Sequence, residues 1–192
     1  MTLALIWLLA YLLGSIPFGL LLARMKQVDL RKEGSGNIGA TNVARTLGKT
    51  AGILTLFGDC GKGWLACWLA GRTLEQEWEI AGAALMAFLG HVFSVFLKFK
   101  GGKGIATGLG IYLYLMPLAA LSTMGLFIGL VATTRYVSLG SVAGSASIPL
   151  FGWLFGAPVP YLAVGGATAV ISIVRHRENI RRLIQGTENK FK

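Results

Sequence analysis

The feature that most limits what this chain can fold into is a succession of long apolar runs, near 3–22, 51–71, 80–97, 139–155 and 161–174. A helix needs roughly 20 predominantly apolar residues to cross a bilayer, and these runs approach that length. With 54% hydrophobic and only 14% charged residues in 192, too little polar surface remains for a soluble domain. The chain is therefore expected to be an all-α integral membrane protein. Its 27 glycines are about twice the usual share, and small residues let helices approach closely where apolar collapse supplies no driving force. A compact bundle of tightly crossed helices follows, some of them short or broken.

The stretch 108–134 is long for one span and short for two, and Pro117 interrupts it. Charge decides between the two. If it crosses twice, segments 24–50, 98–107, 135–138 and 175–192 share one side and hold every Lys and Arg except Lys62 and Arg72. Arg72 then lies opposite, beside Glu75, Glu77 and Glu79. The positive-inside rule favours that arrangement, so seven transmembrane helices are expected, with the N-terminus outside and the C-terminus cytoplasmic. The two thin helices flanking Pro117 cost fractions of a kcal/mol per Å of mismatch. Residues 1–22 lack the leading basic residue and cleavage site of a secretory signal and read as a retained anchor. With no internal repeat, linker or second soluble domain, residues 1–192 form one expected membrane domain. Its basic face would draw lipid headgroups and phosphorylated metabolites.

Three polar signatures fall on that basic side. The first is Gly34-Ser35-Gly36-Asn37-Ile38-Gly39-Ala40-Thr41-Asn42-Val43-Ala44-Arg45. Its glycines have dinucleotide-fingerprint spacing, but no strand precedes them and no βαβ unit is available, so that match is spurious. The expected role of Gly36 and Gly39 is to free the backbone to turn N–H groups toward an anion. Ser35, Asn37, Thr41 and Asn42 add neutral donors, and Arg45 adds charge. If a helix starts near Gly39, Thr41 and Arg45 share a face above its N-terminus. A flexible, capped loop is the plainer alternative.

The second signature, Lys100-Gly101-Gly102-Lys103-Gly104-Ile105-Ala106-Thr107, leads from glycines into an apolar helix and reads as another anion nest. It lacks the spacing and the Ser or Thr of a Walker loop. Lys98 and Lys100 are alternatively interfacial anchors. The third signature is His176-Arg177-Glu178-Asn179-Ile180. On a helix, His176 and Asn179 share an inward face, while Glu178 and Arg182 are spaced to pair toward water.

Three further features lie inside apolar runs. Asp59 and Lys62 are three apart, where an unpaired charge is costly, and are expected to pair or to meet water. His91 is expected to hydrogen-bond within the bundle, with indirect support of the site as the alternative. Cys60 and Cys67 lack zinc-site spacing and read as packing thiols. No metal and no cofactor are expected.

In their order and content the three signatures resemble the PlsY-type glycerol-3-phosphate acyltransferases of bacteria, over nearly the whole chain. The resemblance also implies seven spans. It further implies a multi-pass protein of the bacterial cytoplasmic (inner) membrane whose active site faces the cytoplasm. The implied activity transfers a fatty acyl group from a long-chain acyl phosphate to the sn-1 hydroxyl of glycerol 3-phosphate, giving lysophosphatidic acid and inorganic phosphate. The family's essential serine and arginine match Ser35 and Arg45, and its phosphate-binding glycine motif matches Gly101, Gly102, Lys103 and Gly104, with Thr107 as an additional donor. Its third motif matches His176 and Asn179. Ser141 matches a further active-site position, although the surrounding Val-Ser-Leu-Gly-Ser leaves Ser138 open. Membrane lipids are expected partners, nucleic acid is not, and a monomer is expected.

Neither histidine has an aspartate five positions later, so the HX4D arrangement of another glycerolipid acyltransferase class is missing. Two bases remain open. A substrate phosphate, with a second pKa of about 6, accepts the hydroxyl proton; otherwise His176 does. A transporter of a phosphorylated metabolite is the competing function, disfavoured because it needs a site near the midplane. A noncatalytic lipid-headgroup-binding subunit is a third.

Overall fold

A computed structural model describes residues 2–191, so Met1 and Lys192, the latter counted above with the basic tail, lie outside the described residues. Those residues form helices and no strand: α1 (Leu3–Ser15), α2 (Phe18–Met25), α3 (Ala40–Leu47), α4 (Lys49–Thr73), α5 (Glu77–Val92), α6 (Ile105–Leu115), α7 (Pro117–Thr134), α8 (Val137–Leu154), α9 (Val159–Arg175) and α10 (Arg177–Ile184), with a single 3-10 turn at Val95–Leu97. Four helical stretches are long and apolar enough to cross a membrane: Leu3–Met25, Glu77–Leu97, Pro117–Thr134 and Val137–Leu154. The pair α9 and α10, bent by 59° at His176, makes a fifth if taken as one span. α6, with 11 residues, is shorter, and α4 carries Asp59 and Lys62 in its middle.

Two breaks in the apolar runs have local causes, the first unexpected and the second the one Pro117 suggested. The run 3–22 is two helices, because Pro17 has no N–H to continue the ladder and α1 ends at Ser15. The stretch 108–134 breaks at Met116, and Pro117 opens α7 at a position where its missing N–H costs nothing.

The chain divides into two compact units, 1–114 and 115–192. In the first, α1 packs on α5 by backbone contact. A Cβ on Gly14 would fall inside the Ala87 carbonyl, and one on Gly90 would meet the Tyr11 carbonyl. Ala83, Ala84 and Ala87 are fully buried along this seam. α4 and α6 meet the same way, with Gly110 against the Cys60 carbonyl and Gly63 against the Thr107 carbonyl. The break between α1 and α2 is sealed by side chains. Ser94 Oγ donates to the Ser15 carbonyl at 2.7 Å, and Lys62 Nζ donates to the Ile16 carbonyl at 2.6 Å. In hydrocarbon each such carbonyl would otherwise cost several kcal/mol.

The second unit packs α7 on α8 and α8 on α9. Gly140 lies against Phe127 and Val131, and Gly152 against Leu162 and Met116. Thr123 and Ser147 share a 3.3 Å hydrogen bond across α7 and α8.

Gly14→Ala should lower the thermal unfolding midpoint in detergent by the equivalent of about 1–3 kcal/mol, the usual cost of overpacking. At Gly125 an added Cβ meets nothing within 4 Å. Gly125→Ala should therefore leave the midpoint unchanged, or raise it by the equivalent of up to about 1 kcal/mol through helix propensity.

Candidate functional site

The first signature is a loop organised around one buried amide. Asn42, in the first turn of α3, is 2% exposed. Its Nδ2 donates to the carbonyls of Asn37 at 2.8 Å, Glu33 at 3.1 Å and Leu30 at 3.3 Å. Its Oδ1 accepts the Ser35 N–H at 2.8 Å. Gly34 must be glycine twice over, since its φ is +58° and a Cβ would collide with Asn42 Oδ1. Gly36, at φ +68°, donates its N–H to the Glu33 carbonyl, and Asn37 Oδ1 accepts the N–H of Ile38 at 3.0 Å.

Of the two glycines expected to turn N–H groups toward an anion, Gly36 keeps its own within the loop. The N–H groups of Ser35, Gly36 and Ile38 bond within the loop, and the Asn42 amide shapes the loop rather than reaching out of it. The exposed chemistry is the Ser35 side chain and Arg45, with Thr41 half-buried. α3 starts at Ala40 after Gly39, as the sequence suggested, and places Thr41 and Arg45 one turn apart.

The second signature is likewise tied to its neighbours. Gly101 N–H donates to the Val92 carbonyl at 3.0 Å and Gly102 N–H to the His91 carbonyl at 3.1 Å, closing the end of α5. A Cβ on Gly102 would strike His91 Nε2, and one on Gly104, at φ +86°, would strike the Phe88 ring. Gly101 and Gly102 thus send their N–H groups toward α5, not outward. Lys103, between these glycines and α6, is half-buried, and the first N–H groups of α6 are ones no helix can satisfy internally. Thr107, expected as another donor, is fully buried and its hydroxyl has no partner. Arg31 Nη2 donates to the Lys100 carbonyl at 3.2 Å, which fastens the first signature to the second.

Beneath them lies a buried charge cluster. Asp59 Oδ1 is 2.8 Å from Lys62 Nζ and 3.7 Å from His91 Nδ1. All three residues are at most 5% exposed. The expected pairing of Asp59 with Lys62 is present.

In the second unit, His176 occupies the bend between α9 and α10 and is 3% exposed. Its Nδ1 lies 2.8 Å from the Ser172 carbonyl. A carbonyl only accepts, so Nδ1 carries the proton and Nε2 is the basic nitrogen of the neutral ring. Asn179 lies inward on the next turn, 7% exposed, while Arg177 and Glu178 face outward. The pairing expected for Arg182 is different, however. Glu178 approaches Arg177 at 3.7 Å, whereas Arg182 Nε binds Glu188 Oε2 at 2.6 Å and Asn179 Nδ2 binds Glu188 Oε1 at 2.6 Å. Gly186, at φ +69°, turns the tail so that Glu188 returns to α10.

Ser141 is buried and its hydroxyl donates to the Val137 carbonyl at 2.8 Å. Ser138, one turn earlier on α8, is also buried, and its Oγ approaches the Glu188 carboxylate, helping to hold it ionised, without strict hydrogen-bonding geometry. Arg31 and Glu188 are the site contacts that sequence reasoning missed. Arg31 left no signal, while Glu188 is a lone acid in a basic tail and was read only as charge.

The family model for glycerol-3-phosphate acyltransferase matches residues 4–186. A glycerol-3-phosphate acyltransferase of Geobacter sulfurreducens is 55% identical over 183 residues, covering 95% of this chain and 94% of that one. One of Thermus thermophilus is 46% identical over 190 residues, covering 98% and 96%. Among solved structures, the chain is similar to PlsY, an integral membrane glycerol 3-phosphate acyltransferase, in its glycerol 3-phosphate form. That likeness has a TM-score of 0.95 and 42% identity, covering 99% of this chain and 96% of that one. The lysophosphatidic acid form gives 0.93 and 41%, covering 99% and 95%.

Burial opposes ionisation of Glu188, but the hydrogen bonds from Asn179 and Arg182 outweigh it and hold the carboxyl below its ordinary range. A depressed folded pKa stabilises above the unfolded value, about 4.3 for Glu, and that stability is lost as pH falls through the folded pKa. Glu188→Gln should therefore lower the unfolding midpoint at neutral pH. The gap between variant and parent should close as the pH drops below about 4.

Proposed function

Since the chain belongs to the glycerol-3-phosphate acyltransferase family, we propose that it transfers a fatty acyl group from a long-chain acyl phosphate to the sn-1 hydroxyl of glycerol 3-phosphate. The products are lysophosphatidic acid and inorganic phosphate. The observation that carries this reading furthest is the Arg31 to Lys100 hydrogen bond. It fastens the loop that holds Ser35 and leads into α3, which carries Arg45, to the segment that holds Lys103, so two cations and a hydroxyl belong to tethered neighbouring segments suited to phosphate oxygens.

In the proposed reaction the sn-1 oxygen attacks the acyl carbon, a C–O bond forms, and the bond from that carbon to the phosphate oxygen breaks. The hydroxyl proton passes to a substrate phosphate, and no acyl-enzyme intervenes. Arg45 and Lys103 bind phosphate groups and offset developing negative charge. Ser35, Ser141 and Asn179 hold substrate oxygens, and His176 positions the reacting group. Gly36, Asn37, Gly39 and Asn42 form the phosphate-binding turn of the first signature and Gly101, Gly102 and Gly104 that of the second, with Thr41 on α3 and Thr107 on α6 as the additional donors of the two. Assignment of residues from both units to one reaction rests on family membership, as does the view that 1–192 acts as one domain and as a monomer. The Nδ1 proton of His176 leaves Nε2 as an acceptor, which keeps that residue as the rival base. If His176→Ala lowered kcat with KM unchanged, the rival would be favoured.

The same reading includes seven spans in a bacterial inner membrane, the N-terminus outside and the site facing the cytoplasm. The helix break at Met116 and the near-exclusive placement of Lys and Arg in four segments support it.

Purified protein given glycerol 3-phosphate and palmitoyl phosphate should form lysophosphatidic acid and inorganic phosphate in equal amounts, and none with palmitoyl-CoA. Turnover with the CoA ester alone would overturn the donor assignment, and a folded preparation without turnover would overturn the reaction. Arg45→Ala and Lys103→Ala should each raise the KM for glycerol 3-phosphate about 10- to 100-fold, the equivalent of one or two charge-assisted hydrogen bonds.

A further inference from the structure

A buried ion pair is weak support for stability, because well-packed apolar residues of similar volume often do as well or better. Ionisable groups inside a membrane span therefore point to function unless their contacts explain them otherwise. Asp59 and Lys62 sit in the middle of α4 at 2% and 3% exposure, and no role in the proposed chemistry uses them. Their contacts run in one direction. Lys62 Nζ grips the Ile16 carbonyl at the Pro17 break and holds Asp59 at 2.8 Å. Asp59 Oδ1 in turn lies 3.7 Å from His91 Nδ1, close enough for the carboxylate to attract and orient the ring.

His91 is the residue against which the glycine loop is moulded. Its carbonyl accepts the Gly102 N–H, its neighbour Val92 accepts that of Gly101, and its ring nitrogen Nε2 fills the space a Cβ on Gly102 would need. Gly102 directly precedes Lys103. A rotation of the His91 ring would therefore either open a gap behind Gly102 or push the turn outward, and Lys103 would move with it.

We propose that Asp59, Lys62 and His91 are positioning residues. The ion pair, anchored to the α1–α2 break, orients the His91 ring, which sets the Gly101–Gly102 turn and thereby the placement of Lys103 for the phosphate of glycerol 3-phosphate. This rests on the reading of Lys103 as a phosphate ligand.

The test is the neutral, near-isosteric double variant Asp59→Asn/Lys62→Met, assayed with palmitoyl phosphate beside Lys103→Gln and the combination of the two. The double variant leaves the Ile16 carbonyl without its Lys62 donor, so it should unfold at a lower midpoint than the parent's while remaining folded at the assay temperature. It should raise the KM for glycerol 3-phosphate about tenfold, the scale of a sub-ångström misplacement, with kcat and the KM for acyl phosphate within about twofold of the parent. Amide exchange of the 98–104 segment should quicken while that of α5 does not. In the Lys103→Gln background the double variant should add little, because both act through one group.

His91→Asn, which keeps the ion pair and removes the ring from behind Gly102, should give the same rise in KM and serves if the double variant does not fold. A folded double variant or His91→Asn with unchanged KM would overturn the proposal, as would loss of fold in both, which would assign the cluster to stability alone. An unchanged KM in Lys103→Gln would instead refute the reading of Lys103 on which the proposal stands.

Discussion

A helix that breaks inside hydrocarbon leaves carbonyls that no solvent can satisfy, and the first unit is arranged around one such break. Pro17 ends the α1 ladder, and the open carbonyls of Ser15 and Ile16 are taken by Ser94 and Lys62. An ammonium group so placed requires its own counter-charge, which Asp59 supplies from one turn earlier on α4. Asp59 then faces His91, and His91 backs the glycine loop. A single backbone defect thus links the helix break, the buried pair and the loop that presents Lys103.

The two signatures of the first unit share one construction principle. Their glycines make room for another group to come close, and most of the backbone N–H groups in view are used to fix the loops. Asn42 gathers three carbonyls and one N–H of its loop, while α5 takes the N–H groups of Gly101 and Gly102. Rigid loops lower the ordering cost of holding an anion, which suits the phosphate-binding role proposed for Ser35, Arg45 and Lys103. In the second unit the same economy appears at Glu188, whose carboxylate fixes Asn179 and Arg182.

The fold class was legible because hydropathy and charge are summed over long windows, and errors at single residues cancel. The helix starts after Gly39 and at Pro117 were legible too, since glycine and proline act locally on the backbone. The pairing of Asp59 with Lys62 followed from the cost of lone charges three apart in an apolar run. Side-chain direction was not legible. Asn42 reads as a donor to a ligand or to its own loop with equal ease, and helical spacing recommended Glu178 for Arg182. Glu188 captures Arg182 instead because Gly186 reverses the tail, a long-range event that periodicity does not encode.

By itself, then, the sequence determined that this chain is helical, rich in apolar helices, with its Lys and Arg gathered into a few segments, and equipped with three polar signatures of one family, because composition, periodicity and motif order are properties of the chain in one dimension. Tertiary structure alone decided that Arg31, just before the first signature, ties it to the second, that the N–H groups of Gly36, Gly101 and Gly102 are spent on the first loop and α5, and that a buried charge cluster stands behind Gly102. Those outcomes depend on which distant backbone atoms remain unsatisfied after the helices pack, and unsatisfied groups come into being only in three dimensions.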